Sequence, residues 1–360
     1  MKNIILTLLG CLVLNSCSSK KSVSLNFLDE YIIQDSLMLN GFKVGGLSGV
    51  DYVNDTLYFV VDDGRKPRVV LATMKLNEEK VDSLDFFKTI ELKDSTTTFF
   101  NKTYLDVESI FIDQESGRMH ITSEGSINYK VKPLIFSLNL SGKDPVTYEI
   151  PAYLGDLENH HHNKSFEASS RSFNGKGFWF TTEAPLKQDG ELANFSETNS
   201  PIRFSYFEYA SNKVTKQFVY PLGKIDLAPK GKTKVNGVTA ILEYDENKFL
   251  VIERAYVSGY GSYGNVVKIF EASISDVTSD TKHMNSLQGK SFQPMEKKLL
   301  MNFNEVKSQL TDGIIDNIEG ISFGPNLKNG NKSLLLIADD NFQNFGKQLN
   351  QFIFLELIIN

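Results

Sequence analysis

Ten carboxylates recur at two kinds of place in this chain. Glu108, Glu167 and Glu319 each open an apolar run and precede a small residue, whereas Asp62, Asp63, Glu124, Glu183, Glu253, Asp339 and Asp340 each close a β-branched or aromatic run. Brought together, such groups repel one another, and bound cations, arginine partners or raised pKa values must offset the repulsion. Arg65, Arg171 and Arg254 lie in or beside the same motifs and are candidate partners. Hard oxygen ligands of this type favour Ca2+ or Mg2+ over softer metals. The spacing is not that of an EF-hand. There is no Gly-x-Ser-x-Gly elbow, His-Glu-x-x-His helix or Walker loop, so triad, zincin and P-loop chemistry have no support.

The elements that must position these acids are hairpins. Five stretches, residues 48–64, 108–125, 167–184, 236–254 and 319–341, share one template: a polar residue, a small residue, a strand, a turn of Asn, Asp or Gly, and a return strand that ends in acid. Turns of that composition are what tight hairpins require. The polar residue is glutamate in three repeats and Ser48 or Asn236 in the others. Two further strand-like runs follow each hairpin, among them DFFKTIEL, VTYEIPAYL, KQFVYPLG and KKLLMNF as fourth strands, and the last repeat lacks its fourth. An unassigned strand-like segment, residues 25–37, can supply it. Four-stranded units repeating in this way predict an all-β fold, a β-propeller of five visible blades, a sixth being possible, closed by the N-terminal strand.

In an up-and-down blade the start of the first strand and the end of the second lie at the same end. Glu108, Glu167 and Glu319 are therefore expected to ring one channel mouth, with the return-strand acids just outside them. The long loops, including residues 255–265 with Tyr256, Tyr260 and Tyr263, open on that face, where function is expected. His160, His161 and His162 read as an exposed loop there. Trp179, Phe178 and Phe180 read as blade core.

The remaining features bound the setting. A chain of 360 residues, 41% hydrophobic and 23% charged, is long enough for a large core, and its net charge of −6 argues against a nucleic-acid surface. Met1-Lys2 and the apolar run Ile4–Leu14 read as a secretory signal over residues 1–16. LNSC, ending at Cys17, resembles a bacterial lipobox, which implies a lipidated Cys17, a polar tether over residues 17–24 and a propeller domain over residues 25–360. The expected setting is the cell envelope, anchored by lipid to a membrane, with the outer membrane favoured and the chain monomeric.

GLSGVDY with DDG, ESI with SEG, SFEA with TEAPL, VIERAY, and above all NIEGISF with LLLIADDNF, resemble the esterase-like phytase family of secreted bacterial propellers. The resemblance runs from about Gly45 to Leu357. It implies phosphoester or ester hydrolysis by the acidic residues, with Ca2+ as cofactor. On that reading Ca2+ sits among Glu108, Glu167, Glu319 and the Asp62, Asp63, Asp339 and Asp340 pairs. Glu124 or Glu183 is then the general base, and Arg65, Arg171 or Arg254 balances phosphate charge. Glu253-Arg254 serves either chemistry or a structural ion pair, and the inner glutamates either chemistry or pinning of blade to blade. Two other classes stay open: a glycosidase with two carboxylates across the channel, and a non-catalytic binding lipoprotein in which Tyr256 and Tyr260 grip a glycan or partner.

Overall fold

The computed structural model describes residues 22–92, 99–100 and 104–360. Residues 1–16 and Cys17, read above as signal and lipidation site, lie outside them. The strands run in chain order β1 (Val23–Ile33), a small hairpin of β2 (Met38–Leu39) and β3 (Phe42–Lys43), then five blades. The first blade is β4 (Leu47–Val53), β5 (Thr56–Val61), β6 (Arg68–Asn77) and β7 (Lys80–Glu91). The second is β8 (Val107–Asp113), β9 (Arg118–Ser123), β10 (Leu134–Asn139) and β11 (Val146–Thr147). The third is β12 (Phe166–Arg171), β13 (Gly177–Thr182), β14 (Pro201–Glu208) and β15 (Lys213–Pro221). The fourth is β16 (Lys234–Asp245), β17 (Lys248–Val257), β18 (Asn265–Ser273) and β19 (Glu296–Asn302). The fifth is β20 (Ile318–Phe323), β21 (Lys332–Ala338), β22 (Asn350–Ile359) and, as its outer strand, β1.

Five blades are therefore observed among the described residues, and the ring closes as the missing fourth strand suggested. β1 pairs antiparallel with β22 from Val23↔Ile359 to Ile33↔Asn350. Ser22, just before β1, and Asn360, just after β22, thus meet at one rim, where they exchange backbone hydrogen bonds. One expected strand differs. VTYEIPAYL contributes only the two-residue β11, because Pro151 cannot donate to a ladder and Ala152–Gly155 form a helical turn instead.

Successive side chains of a strand point to opposite faces, and both faces of a blade are covered by neighbours. This is why the second strands read as unbroken apolar runs rather than as alternating ones. Phe59 and Val61 pack toward the fifth blade while Val60 packs toward the second. Phe178 and Phe180 pack toward the second blade and Trp179 toward the fourth, all three buried as expected. Leu334 and Leu336 face the fourth blade, Leu335 and Ile337 the first. Each seam thereby has its own hydrophobic layer.

The turns between first and second strands lie at the rim away from the acids. Asn54 and Asp55, both with positive φ (49° and 59°), make the two-residue turn whose twist suits a hairpin. That rim also carries the polar pins that tie blade to blade. Asp51 accepts the Ile112 N–H at 2.7 Å from the second blade and the Ser322 hydroxyl at 3.2 Å from the fifth. Glu243 accepts the Phe173 N–H at 2.7 Å and the Trp179 indole N–H at 3.0 Å.

Candidate active site at the acidic mouth

All five inner strands break register at the same level. The shifts fall between Leu47 and Gly49, Val107 and Ile110, Phe166 and Ala168, Val238 and Ala240, and Ile318 and Gly320. A bulge inserts an unpaired residue and re-aims its side chain. The bulged positions are Ser48, Glu108, Glu167, Thr239 and Glu319. One residue past the matching pairs on the second strands stand Asp62, Glu124, Glu183, Arg254 and Asp339. These two tiers are the mouth, and a cavity of about 710 Å3 opens over them.

This register corrects the repeat alignment in the fourth blade. Val238 pairs with Glu253, so the ring positions there are Thr239 and Arg254, not Asn236 and Glu253. Glu253 points to the other face of the strand. There it accepts the Tyr220 hydroxyl at 2.7 Å and the Gly223 N–H at 3.2 Å, and it pairs with Lys297. The small residue after Asn236 has its own reason: a Cβ on Gly237 would lie 2.4 Å from Glu183 Cγ, so only glycine admits that side chain to the mouth.

Arg254 organises one half of the mouth. Its Nη2 lies 3.2 Å from Glu319 and 3.7 Å from Glu183. Lys164 holds the other oxygen of Glu183 at 2.8 Å, and Asn317 donates to Glu319 at 2.9 Å. Burial alone would lower the Arg254 pKa, but the charges of Glu319, Glu183, Glu167 and Asp339 raise it. Burial pushes Glu319 up to about 7 even though Arg254 opposes the rise. Asp339 accepts the Asn341 N–H at 2.7 Å and is pushed well up by burial, then by Glu319 and Asp62.

Among the described residues, no lysine or arginine forms an ion pair with the carboxylates of the other half. Oxygens of Glu108, Glu124 and Glu167 lie within 4.8 Å of one another, and so do those of Asp62, Asp106 and Glu108. Among the described residues no donor reaches the carboxylates of Glu108 or Glu167. Glu124 accepts the Ser165 N–H at 2.5 Å through Oε1, while its buried Oε2 has no partner among the described residues. Burial first, then neighbouring carboxylates, raise Glu108, Glu167 and Asp62 well above the usual range and Glu124 to about 8. Asp106 is raised as well, by burial first.

The other expected site residues fall elsewhere. Asp63 caps its own turn, accepting the N–H groups of Arg65 and Lys66 and pairing with Arg68 at 3.1 Å. Asp340 is fully buried and accepts the Gly46 N–H at 2.7 Å and the Asn350 amide at 3.1 Å. Neither offers a free oxygen to the cavity. Arg65 is exposed beyond the lining. Arg171 ends β12, four residues beyond Glu167 and about 13 Å along the strand, so it faces the opposite rim near Asp51. Tyr256 lines the cavity, but Tyr260 turns away to donate to the Ala228 carbonyl at 3.1 Å. His160 is buried and bonds the Leu154 carbonyl at 2.6 Å, so of the three histidines only His162 is exposed. Asp106, Lys164 and Asn317 belong to the site and were not singled out in the sequence. Asp106 and Asn317 each stand two residues before an inner glutamate, and the strand period of two is the signal that points to them.

Fold and site together define a five-bladed β-propeller with a carboxylate-lined channel mouth. Residues 43–342 match the phytase-like family, described as esterase-like activity of phytase, and the chain belongs to that family. No curated protein matches. Among solved structures, the chain is similar to an exo-β-1,3-galactanase from Phanerochaete chrysosporium, with 11% identity and a TM-score of 0.47 over 93% of this chain and 63% of that one. It is also similar to the catalytic domain of a Coprinopsis cinerea GH62 α-L-arabinofuranosidase, with 10% identity and a TM-score of 0.44 over 93% of this chain and 97% of that one. A putative glycoside hydrolase from Bacteroides ovatus gives 11% identity and a TM-score of 0.44 over 86% of each chain.

Proposed function

We propose that the protein is a divalent-cation-dependent hydrolase of phosphate esters or related esters, working at the acidic mouth. The observation that carries this reading is the carboxylate cluster of Glu108, Glu124 and Glu167, in which, among the described residues, the Ser165 N–H is the one donor and the buried Glu124 Oε2 has none. Buried like charges without partners are costly, and a cation removes that cost. The donor set is all hard oxygen, which suits Ca2+ or Mg2+. Family membership supports the reaction class.

Within this reading Glu108, Glu124 and Glu167 hold the cation, with Asp62 and Asp106 beside them. A bound divalent cation supplies Lewis-acid polarisation of a phosphoryl or acyl oxygen and lowers the pKa of a bound water. Glu319, with its pKa raised to about 7, is placed to exchange a proton near neutral pH. Arg254 fixes Glu319 and Glu183, and with Lys164 keeps positive charge at the cavity wall, where a substrate anion is favoured. Tyr256 lines the approach.

The anchoring expectation extends the proposal. A lipid on Cys17 would tether the chain at the rim where Ser22 meets Asn360, so the mouth would face away from the membrane. The test of function is hydrolysis of p-nitrophenyl phosphate, phytate and p-nitrophenyl acetate with and without EDTA. Chelator-sensitive turnover that Glu124→Gln abolishes without loss of folding is the expected result. Inactivity on all three, or chelator-insensitive turnover of aryl glycosides alone, would overturn the proposal in favour of a binding protein or a glycosidase.

A further inference from the structure

Above the carboxylates the mouth has walls of another kind. Val235, Tyr256 and Phe345 line the same cavity as Arg254 and Lys164. Phe345 is 83% exposed, more than any other large hydrophobic side chain among the described residues. We propose that Phe345 and Tyr256 receive the alcohol portion of the ester, and that this portion is a ring with an apolar face. The inference deepens the proposed function and rests on its reading of Arg254 and Lys164 as the place of the substrate anion.

A single exposed apolar side chain is common on protein surfaces, but this one is held out by a fastened loop. Residues 339–349 join β21 to β22. Gln343 brackets the loop: its amide donates to the Gln348 carbonyl at 2.7 Å, and its Oε1 accepts the Gln348 N–H at 2.9 Å. On one side of Phe345, the Phe342 ring packs so close to Gly46 that a Cβ there would collide with it. On the other side, the Ser262 hydroxyl, from the loop after β17, donates to the Lys347 carbonyl at 2.7 Å. The loop is tied down on both flanks while the ring between them stays in water. A ligand that covers the ring removes that apolar surface from solvent.

Tyr256 sets the distance between anion and ring. It stands two residues beyond Arg254 on β17, in unbroken register with β18, so the two side chains share a face about 7 Å apart along the strand. Val235 is its partner on β16. A Cβ on Gly264 would lie 2.8 Å from the Tyr256 ring, so glycine at that position is what seats it. An anionic group at Arg254 thus has an apolar wall one pleat outward, on the side to which the alcohol portion of an ester can extend. A ring that carries phosphate on every carbon presents charge instead and gains nothing from such walls.

The test is the affinity of the full chain, in the presence of Ca2+, for two non-hydrolysable anions, phenylphosphonate and methylphosphonate, by titration calorimetry. The phenyl compound is expected to bind about tenfold tighter. That ratio should fall toward one in Phe345→Ala and in Tyr256→Ala and survive in Phe345→Trp. Thermal melts check folding, which truncation of so exposed a ring should leave intact. Equal affinities, a ratio that Phe345→Ala does not move, or no binding of either anion would overturn the inference. Both ring sources support it: displacement of phenylphosphonate by glucose 1-phosphate marks a sugar, and failure to displace it an aryl alcohol. Equal affinities in a chain that hydrolyses esters would remove the ring preference and leave the proposed function, whereas a phenyl preference in a chain that hydrolyses none would do the reverse.

Discussion

The half of the mouth around Arg254 and the half around Glu108 are built from the same blade positions, yet they meet the same electrostatic demand differently. In the first, the fourth blade substitutes Thr239 and Arg254 for a pair of acids, and Arg254 bridges Glu183 and Glu319 from within the chain. In the second, Asp62, Asp106, Glu108, Glu124 and Glu167 converge, and among the described residues none of them forms an ion pair. The rim at the other end of the channel offers a third solution, since Asp51 and Glu243 are satisfied by backbone N–H groups of neighbouring blades. The architectural acids are satisfied by donors of neighbouring blades, whereas the cluster at Glu108 is where the proposed cation would be held.

The largest expected effect comes from making the first half resemble the second. Arg254→Met leaves Glu183 and Glu319 buried without their guanidinium, which should cost about 3–5 kcal/mol in urea unfolding. Added Ca2+ should recover part of that loss; no loss at all would show that Arg254 is not the organiser. Glu108→Gln probes the other half and should act with opposite signs. The cation-free protein should gain about 1–3 kcal/mol as a buried charge is removed, while the rise in melting temperature on adding Ca2+ should vanish.

A smaller effect follows from pH. Glu124 titrates near 8 in the folded protein against 4.5 in its ordinary state, so the folded chain binds more protons than the unfolded one between those values. Its contribution to stability is therefore full below about 4.5 and is lost as pH rises through about 8. Melting temperature without cation should fall by several degrees over that window, and saturating Ca2+ should flatten the curve. An unchanged slope with Ca2+ would separate these carboxylates from cation binding. The smallest effect on the mouth is expected from the far rim: Asp51→Asn should cost about 1 kcal/mol in stability and leave Ca2+ affinity unaltered.

Much of this arrangement was legible in the chain. Hairpin turns such as Asn54-Asp55, and second strands apolar on both faces such as those holding Trp179 and Leu335, are local features, and they define blades and their number. The pairing of inner glutamates with return-strand acids followed from strand direction alone. Register did not follow, because a bulge adds a residue without any compositional mark and a one-residue slip moves a side chain to the opposite face. Glu253 and Arg254 therefore exchanged places between expectation and structure. Arg171 sits in the right motif at the wrong end of its strand, and Asp63 and Asp340 are claimed by turn N–H groups that only the folded loop brings near. His160 is buried through contacts from its own loop, beyond the reach of sequence spacing.

The central claim is that cations belong in the half of the mouth that lacks Arg254. It is tested most directly by anomalous diffraction at the manganese edge from crystals of the protein grown with Mn2+. A peak within coordination distance of Glu108, Glu124 and Glu167, with none beside Arg254, is the predicted result. A mouth without peaks, or a peak seated between Glu319 and Asp339 instead, would contradict it.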